Sequence, residues 1–219
     1  MKREKNGKAF WVNFAILAIA AFLYAALSSP WSIAALSSSV NALAPVYRTA
    51  KNNTVAVQIA VAWDAANTEL FADHFSEEGI EVTFAVVGEW VEKHPELLKK
   101  LIAEGHEIAL LGEGGRDKMK EGLILIEGTG GIRPSTCVFL ADDPAGFSDA
   151  ALLGLRAVRC TAELSGSGGV GDSLKGRIRG GDILTLFPTG DVLNALPEIE
   201  KIIKNMGLDI VPTHKMLYN

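Results

Sequence analysis

The chain has 219 residues, 48% of them hydrophobic and 21% charged, with a formal net charge of −5. This balance excludes a disordered chain, which would be less apolar and more charged, and the length suits one anchored domain of ordinary size. Lys2, Arg3, Lys5 and Lys8 against Glu4 give +3 before Ala9, and the −8 that remains excludes a nucleic-acid partner, which needs a basic face.

Residues 1–8 read as a basic tail. Ala9 to Leu27 (AFWVNFAILAIAAFLYAAL) carries no charge, and a membrane-spanning helix needs about 20 mostly apolar residues. A single transmembrane anchor over 9–28 is therefore expected. Basic residues precede it and none follows until Arg48, which places the tail in the cytoplasm and the rest on the extracytoplasmic side. A cleaved signal peptide is the alternative, since Asn41-Ala42-Leu43-Ala44 before Pro45 ends as a cleavage site does. Residues 29–53 are Ser- and Ala-rich in their first part and read as a linker. Asn52-Asn53-Thr54 matches the short, common glycosylation pattern.

A domain is expected over 54–219. Thr54 to Trp63 is apolar and β-branched, the signature of a buried strand. A helix over Asn67 to Glu78 stops at Gly79. Strand Glu81–Val87, helix Glu89–Glu104 and strand Glu107–Leu111 follow, then a short helix over Asp117–Glu127. Strand Thr136–Ala141, helix Ser148–Leu153 and strand Arg156–Thr161 come next. The glycine-rich loop Ser165–Gly171 lacks the Lys-Ser/Thr end of a phosphate loop. Strand Asp182–Phe187, helix Asp191–Asn205 and strand Leu208–Val211 close the chain. Such alternation implies an α/β fold with a parallel sheet of about seven strands, either a barrel or an open sheet, with ligands at the C-terminal strand ends.

The local sequences Thr83-Phe84-Ala85-Val86-Val87-Gly88 and Glu104-Gly105-His106-Glu107-Ile108 resemble the framework of the polysaccharide deacetylase family (NodB homology domain). Gly180-Gly181-Asp182-Ile183-Leu184 and Lys215-Met216-Leu217-Tyr218-Asn219 add weaker matches. The resemblance implies a NodB-like distorted (β/α) barrel. It also implies a zinc-type centre held by one Asp and two His. Here the family's Asp-Asp pair falls on Asp64-Ala65, its two histidines on Leu111 and Gly115, and its Leu-His motif on Leu186-Phe187. Its Arg-Pro-Pro-Tyr motif falls on Val138-Phe139-Leu140-Ala141. The four histidines, His74, His94, His106 and His214, lie elsewhere. The chain reads as a degenerate member that has lost its metal ligands, so no cofactor is expected.

Asp64 stands where the family places its base, and a vestigial role is expected for it. Trp63, Asn67, Glu113 and Asp142 are candidates for a substrate groove at the strand ends. Cys137 and Cys160 could form a disulfide outside the membrane, and two buried thiols are the favoured reading, because a disulfide between adjacent parallel strands strains its geometry. The resemblance implies a single-pass protein of the bacterial cell membrane that binds a cell-wall or other N-acetylated glycan without turning it over, or acts as a scaffold, with a sporulation role open. The alternatives are an active carbohydrate N-deacetylase with a site rebuilt around Asp64, Glu113 and Asp142, and a partner-binding module that touches no glycan.

Overall fold

A computed structural model describes residues 16–20, 24, 44–51, 53–166, 174 and 176–218. The chain forms two units, Met1–Leu43 and Ala44–Asn219. In the first, residues 16–20 and Tyr24 are helical and exposed. The rest of the expected anchor lies outside the described residues, and among the described residues no helix is long and apolar enough to cross a membrane. Most of the glycine-rich loop also lies outside them.

The second unit alternates strands and helices. They are β1 (Thr54–Val61), α1 (Ala66–Glu77), β2 (Thr83–Val86), α2 (Gly88–Lys93), α3 (Pro95–Ala103) and β3 (Glu107–Leu111). Then come α4 (Gly115–Gly130), β4 (Thr136–Phe139), α5 (Pro144–Leu152), β5 (Arg156–Arg159) and β6 (Ala162–Leu164). β7 (Ile183–Leu186), α6 (Gly190–Asn205), β8 (Asp209–Val211) and α7 (Thr213–Tyr218) complete it. Against the expected parallel sheet of about seven strands, the described residues form a sheet of eight. Seven follow the order β5-β4-β3-β2-β1-β7-β6 and β8 joins β1 off that path. Every pairing between them is parallel.

The two edge strands are consecutive in the chain. Only Cys160 and Thr161 separate β5 from β6, and three Cα–Cα steps reach at most about 11 Å. The sheet must therefore curl until its edges are near neighbours, which makes it a barrel with an unpaired seam. The strand expected over Arg156–Thr161 is β5, ending at Arg159, and β6, which was not expected, lies on the opposite edge. The chain ahead of β1 spans the seam. The amide of Val46 donates to Ala157 O at 2.9 Å, Arg159 N donates to Val46 O at 2.8 Å, and Thr49 N donates to Gly181 O at 2.9 Å. Arg48 pairs with Asp182. The compact unit therefore starts at Ala44, ten residues before the expected boundary at Thr54.

Other differences have local causes. The expected helix 89–104 is two helices, because His94 precedes Pro95 and sits at φ −130°, ψ 54°, outside the α region that a following proline disfavours. α5 starts four residues earlier than expected, since Pro144 takes the first helical turn and Asp143 accepts from Gly146 N at 3.0 Å. Gly88 and Gly122 let α2 and α4 approach closely: a Cβ on Gly88 would lie 2.8 Å from Gly122 Cα.

Inside the barrel lies a polar layer. Gln58 is in register with Thr83 and Thr185, so these side chains share one face. Gln58 Nε2 donates to Thr185 Oγ1 at 2.8 Å, and Thr213 Oγ1 donates to Gln58 Oε1 at 3.3 Å. Glu107 accepts from Thr83 Oγ1 at 2.6 Å, Thr136 Oγ1 at 2.9 Å and His214 N at 2.9 Å. This layer ties α7 to β1, β2, β3, β4 and β7. Below it Met216 packs with Ala56, Val158 and Ile183.

Candidate functional site

Strand parity leads directly from the polar layer to the site. Ala60 and Ala62 follow Gln58 by two and four residues, Leu111 follows Glu107 by four, Leu140 follows Thr136 by four, and Phe187 follows Thr185 by two. All five face inward at the C-terminal strand ends. There they surround a cavity of about 340 Å³ whose mouth carries Trp63, Asp64, Asn67, Glu113 and Thr189. Its floor is hydrocarbon. Val138 and Phe139 themselves lie within β4, buried.

Trp63 is 84% exposed. Its ring is therefore a free aromatic face at the cavity mouth. Trp90, by contrast, is 1% exposed, and its Nε1 donates to Asp64 O at 3.3 Å. Asp64 holds the start of α1: Oδ1 accepts from Asn67 N at 2.8 Å and Oδ2 accepts from Asn67 Nδ2 at 2.8 Å. Thr68 Oγ1 donates to Asp64 O at 2.5 Å. Both carboxylate oxygens are thus engaged by one neighbour, as in a helix cap.

Glu113 belongs to the mouth and to an adjoining cavity of about 120 Å³ that includes Leu111, Glu89 and Lys118. Lys118 Nζ lies 3.0 Å from Glu89 and 3.9 Å from Glu113. The hydrogen bond from Lys118 holds the Glu89 carboxyl below its ordinary range. Glu113 is the looser partner of the two.

Asp142 is not with this group. It is exposed and accepts from Tyr47 Oη at 2.7 Å and from Arg159 Nε at 3.3 Å. The bond to Asp142 raises the Tyr47 phenol above its usual value. Asp142 joins the seam-crossing segment to the β4–α5 connection.

The residues present do not fit a divalent metal. Among the described residues no three His, Cys, Asp or Glu side chains converge. Ala65 sits at the start of α1 and offers a methyl group. Leu111 lines the cavity with its isobutyl chain. Gly114 and Gly115 have φ +74° and +79°, a left-handed conformation that an L-histidine would adopt only with strain. The histidines lie elsewhere. His74 Nε2 is 2.8 Å from Glu200, and the His94 ring centroid is 5.4 Å from that of Trp90. His106 is buried, and that burial holds its imidazole below the ordinary value.

His214 Nδ1 lies 3.2 Å from Glu107 Oε2, within ion-pair range although off the line of a hydrogen bond. The contact with Glu107 raises His214 above its ordinary value. Burial pushes Glu107 up, but the bonds from His214, Thr83 and Thr136 outweigh it and hold the carboxyl low. Both cysteines are free: Cys137 is buried and Cys160 half-buried. Burial drives the Cys137 thiol far up and Cys160 to about 11, so neither is a thiolate nucleophile at neutral pH.

Sequence reasoning missed Ala60, Ala62 and Leu140 as cavity lining, although the alternation along β1 and β4 carried the signal, whereas Pro188, Thr189 and Gly190 belong to a strand end, 187–190, where ligands are expected.

Residues 48–112 match the family model described as polysaccharide deacetylase. Among solved structures, a carbohydrate esterase family 4 (CE4) pseudoenzyme from Bacillus anthracis superposes with TM-score 0.73 at 17% identity, covering 80% of this chain and 69% of that one. The Bc1960 peptidoglycan N-acetylglucosamine deacetylase gives TM-score 0.71 at 15% identity over 81% and 94% of the two chains. PdaA of Bacillus subtilis, a family 4 carbohydrate esterase, gives 0.70 at 16% over 84% and 88%. The domain of this chain thus has the fold of the family 4 carbohydrate esterases, and residues 48–112 match the polysaccharide deacetylase model.

Proposed function

We propose that the chain is a membrane-anchored, extracytoplasmic protein of the bacterial envelope that binds a glycan without hydrolysing it. One observation carries this reading. The cavity at the strand ends, where the fold places its chemistry, is floored by Ala60, Leu111, Leu140 and Phe187. A hydrolytic site needs a metal or a base to activate water. Here the one carboxylate in the base position is tied to Asn67. The cavity and the exposed Trp63 remain suited to holding a sugar, whose apolar ring face stacks on indole.

Three further observations support it. A CE4 pseudoenzyme shares the fold, and a mutant of that protein is described as having restored enzymatic activity, so this scaffold tolerates both conditions. Bc1960 acts on peptidoglycan N-acetylglucosamine, and we carry N-acetylated wall glycan over as the ligand. The apolar run Ala9–Leu27 behind a basic tail is the basis for the anchor. A role in sporulation is an extension of the same reading.

The rebuilt-enzyme alternative gains no support, because Asp142 stands apart from Asp64 and Glu113 and pairs with Tyr47 and Arg159. The test uses the full chain in detergent, offered chitin and peptidoglycan fragments. Retention on the glycan without acetate release is expected. Acetate release abolished by Asp64→Ala would overturn the reading, and retention on neither glycan would favour a partner-binding module.

A further inference from the structure

The cavity lining contains Asp64 and Glu113 and no lysine, arginine or histidine. In the metal-dependent arrangement that the fold implies, a dication would offset the Asp in the base position. With Ala65, Leu111 and Gly115 in the ligand positions no such offset exists, and Asp64 is retained. Lys118 is the nearest cation recorded for Glu113, at 3.9 Å, and it lies closer to Glu89, at 3.0 Å. Glu89, Glu113 and Lys118 together keep one negative charge, and Asp64 adds another. Beside them stands the exposed indole of Trp63, whose face attracts both sugar C–H groups and cations. These carboxylates attract a positive group held at the rim, an attraction that salt screens.

The geometry points to an amino sugar with a free, protonated amine as the ligand of this cavity. The pyranose ring stacks on Trp63, and the ammonium faces Glu113 and Asp64. The Asp64 carboxylate accepts two bonds from Asn67 and retains lone pairs for a further donor. Anionic glycans are repelled by the same charges. This inference rests on the glycan-binding reading and refines it: the protein reads a glycan whose acetyl groups are already gone, and the class of reaction that supplies its ligand is N-deacetylation.

The test is titration calorimetry on the full chain in detergent with two hexasaccharides of equal length, one fully N-acetylated and one fully de-N-acetylated. Below neutral pH the free-amine oligomer is expected to bind at least about tenfold tighter, and the preference should fall with added salt. Trp63→Ala should abolish binding of both. Glu113→Gln, on an exposed loop, should reduce the preference severalfold, while Glu198→Gln on the remote face of α6 should leave it unchanged. Equal or tighter binding of the acetylated oligomer would overturn the amine claim and leave the glycan reading standing. Binding of neither oligomer would remove both. A preference insensitive to Trp63→Ala and Glu113→Gln, or matched by oligolysine, would mean diffuse attraction to an acidic surface and would also overturn the claim.

Discussion

The barrel interior holds two neighbouring regions of opposite character. At mid-depth Gln58, Thr83, Glu107, Thr136, Thr185 and Thr213 form a bonded polar layer. Two to four residues further along the same strand faces lie Ala60, Leu111, Leu140 and Phe187 around an open cavity. At mid-depth the polar groups are bonded to one another, whereas the cavity has a hydrocarbon floor and carries Asp64, Asn67, Glu113 and Thr189 at its mouth. The difference teaches that a buried polar group persists only with its partners. Glu107 has donors on three elements, whereas the alanine, leucine and phenylalanine side chains of the cavity floor offer none.

The largest expected effect comes from breaking the layer. Glu107→Ala removes the acceptor of three donors and leaves His214 without its counter-charge, so unfolding free energy should fall by about 3 kcal/mol in urea titration. Removing residues 44–51 should cost about 2–4 kcal/mol, because three backbone bonds that cross the seam are lost with the Arg48–Asp182 pair. A mild loss in the same urea experiment would show that the seam is held without this segment.

The cavity side should respond weakly in stability and strongly in binding. Asp64→Ala releases the start of α1 and should cost about 1 kcal/mol, with no change in acetate release. Placing Asp at Ala65 and His at Leu111 and Gly115 should still fail to give a one-to-one zinc site, because the Gly115 position is left-handed. Zinc bound stoichiometrically by that triple variant would show that the loop readjusts freely.

The smallest effect is a pH response. The folded value of His214 is raised, so its stabilisation is complete below its unfolded value of about 6.5 and is lost as pH rises through the folded value. The folded value of Glu107 is lowered, so its contribution is complete above about 4.3 and is lost as pH falls through the folded value. Stability from this pair should peak between those limits. His214→Ala should flatten the alkaline limb, read as Tm against pH, and an unchanged limb would remove His214 from the account.

Much of this was legible in the sequence. The β-branched run at Thr54, the Gly79 and Gly105 stops and the alternation of strands and helices gave the parallel α/β class. The departures at Ala65, Leu111, Gly115 and Phe187 pointed to the altered site, and the structure places Leu111 and Phe187 in one cavity. Other features depended on tertiary context. A tripeptide strand such as Ala162–Leu164 has too few residues to display a period, and its place at the far edge follows from barrel closure. The segment at Val46 reads as linker because its partners are backbone groups of distant strands. Asp142 looked like part of the site because it follows a strand, yet Arg159 and Tyr47 draw it away.

The central claim is that the fold is kept without its metal chemistry. Zinc content of the full chain after equilibration with excess zinc and removal of the unbound metal tests it most directly. The account predicts far less than one zinc per chain, unchanged by Asp64→Ala. One zinc per chain, lost in Asp64→Ala, would contradict it.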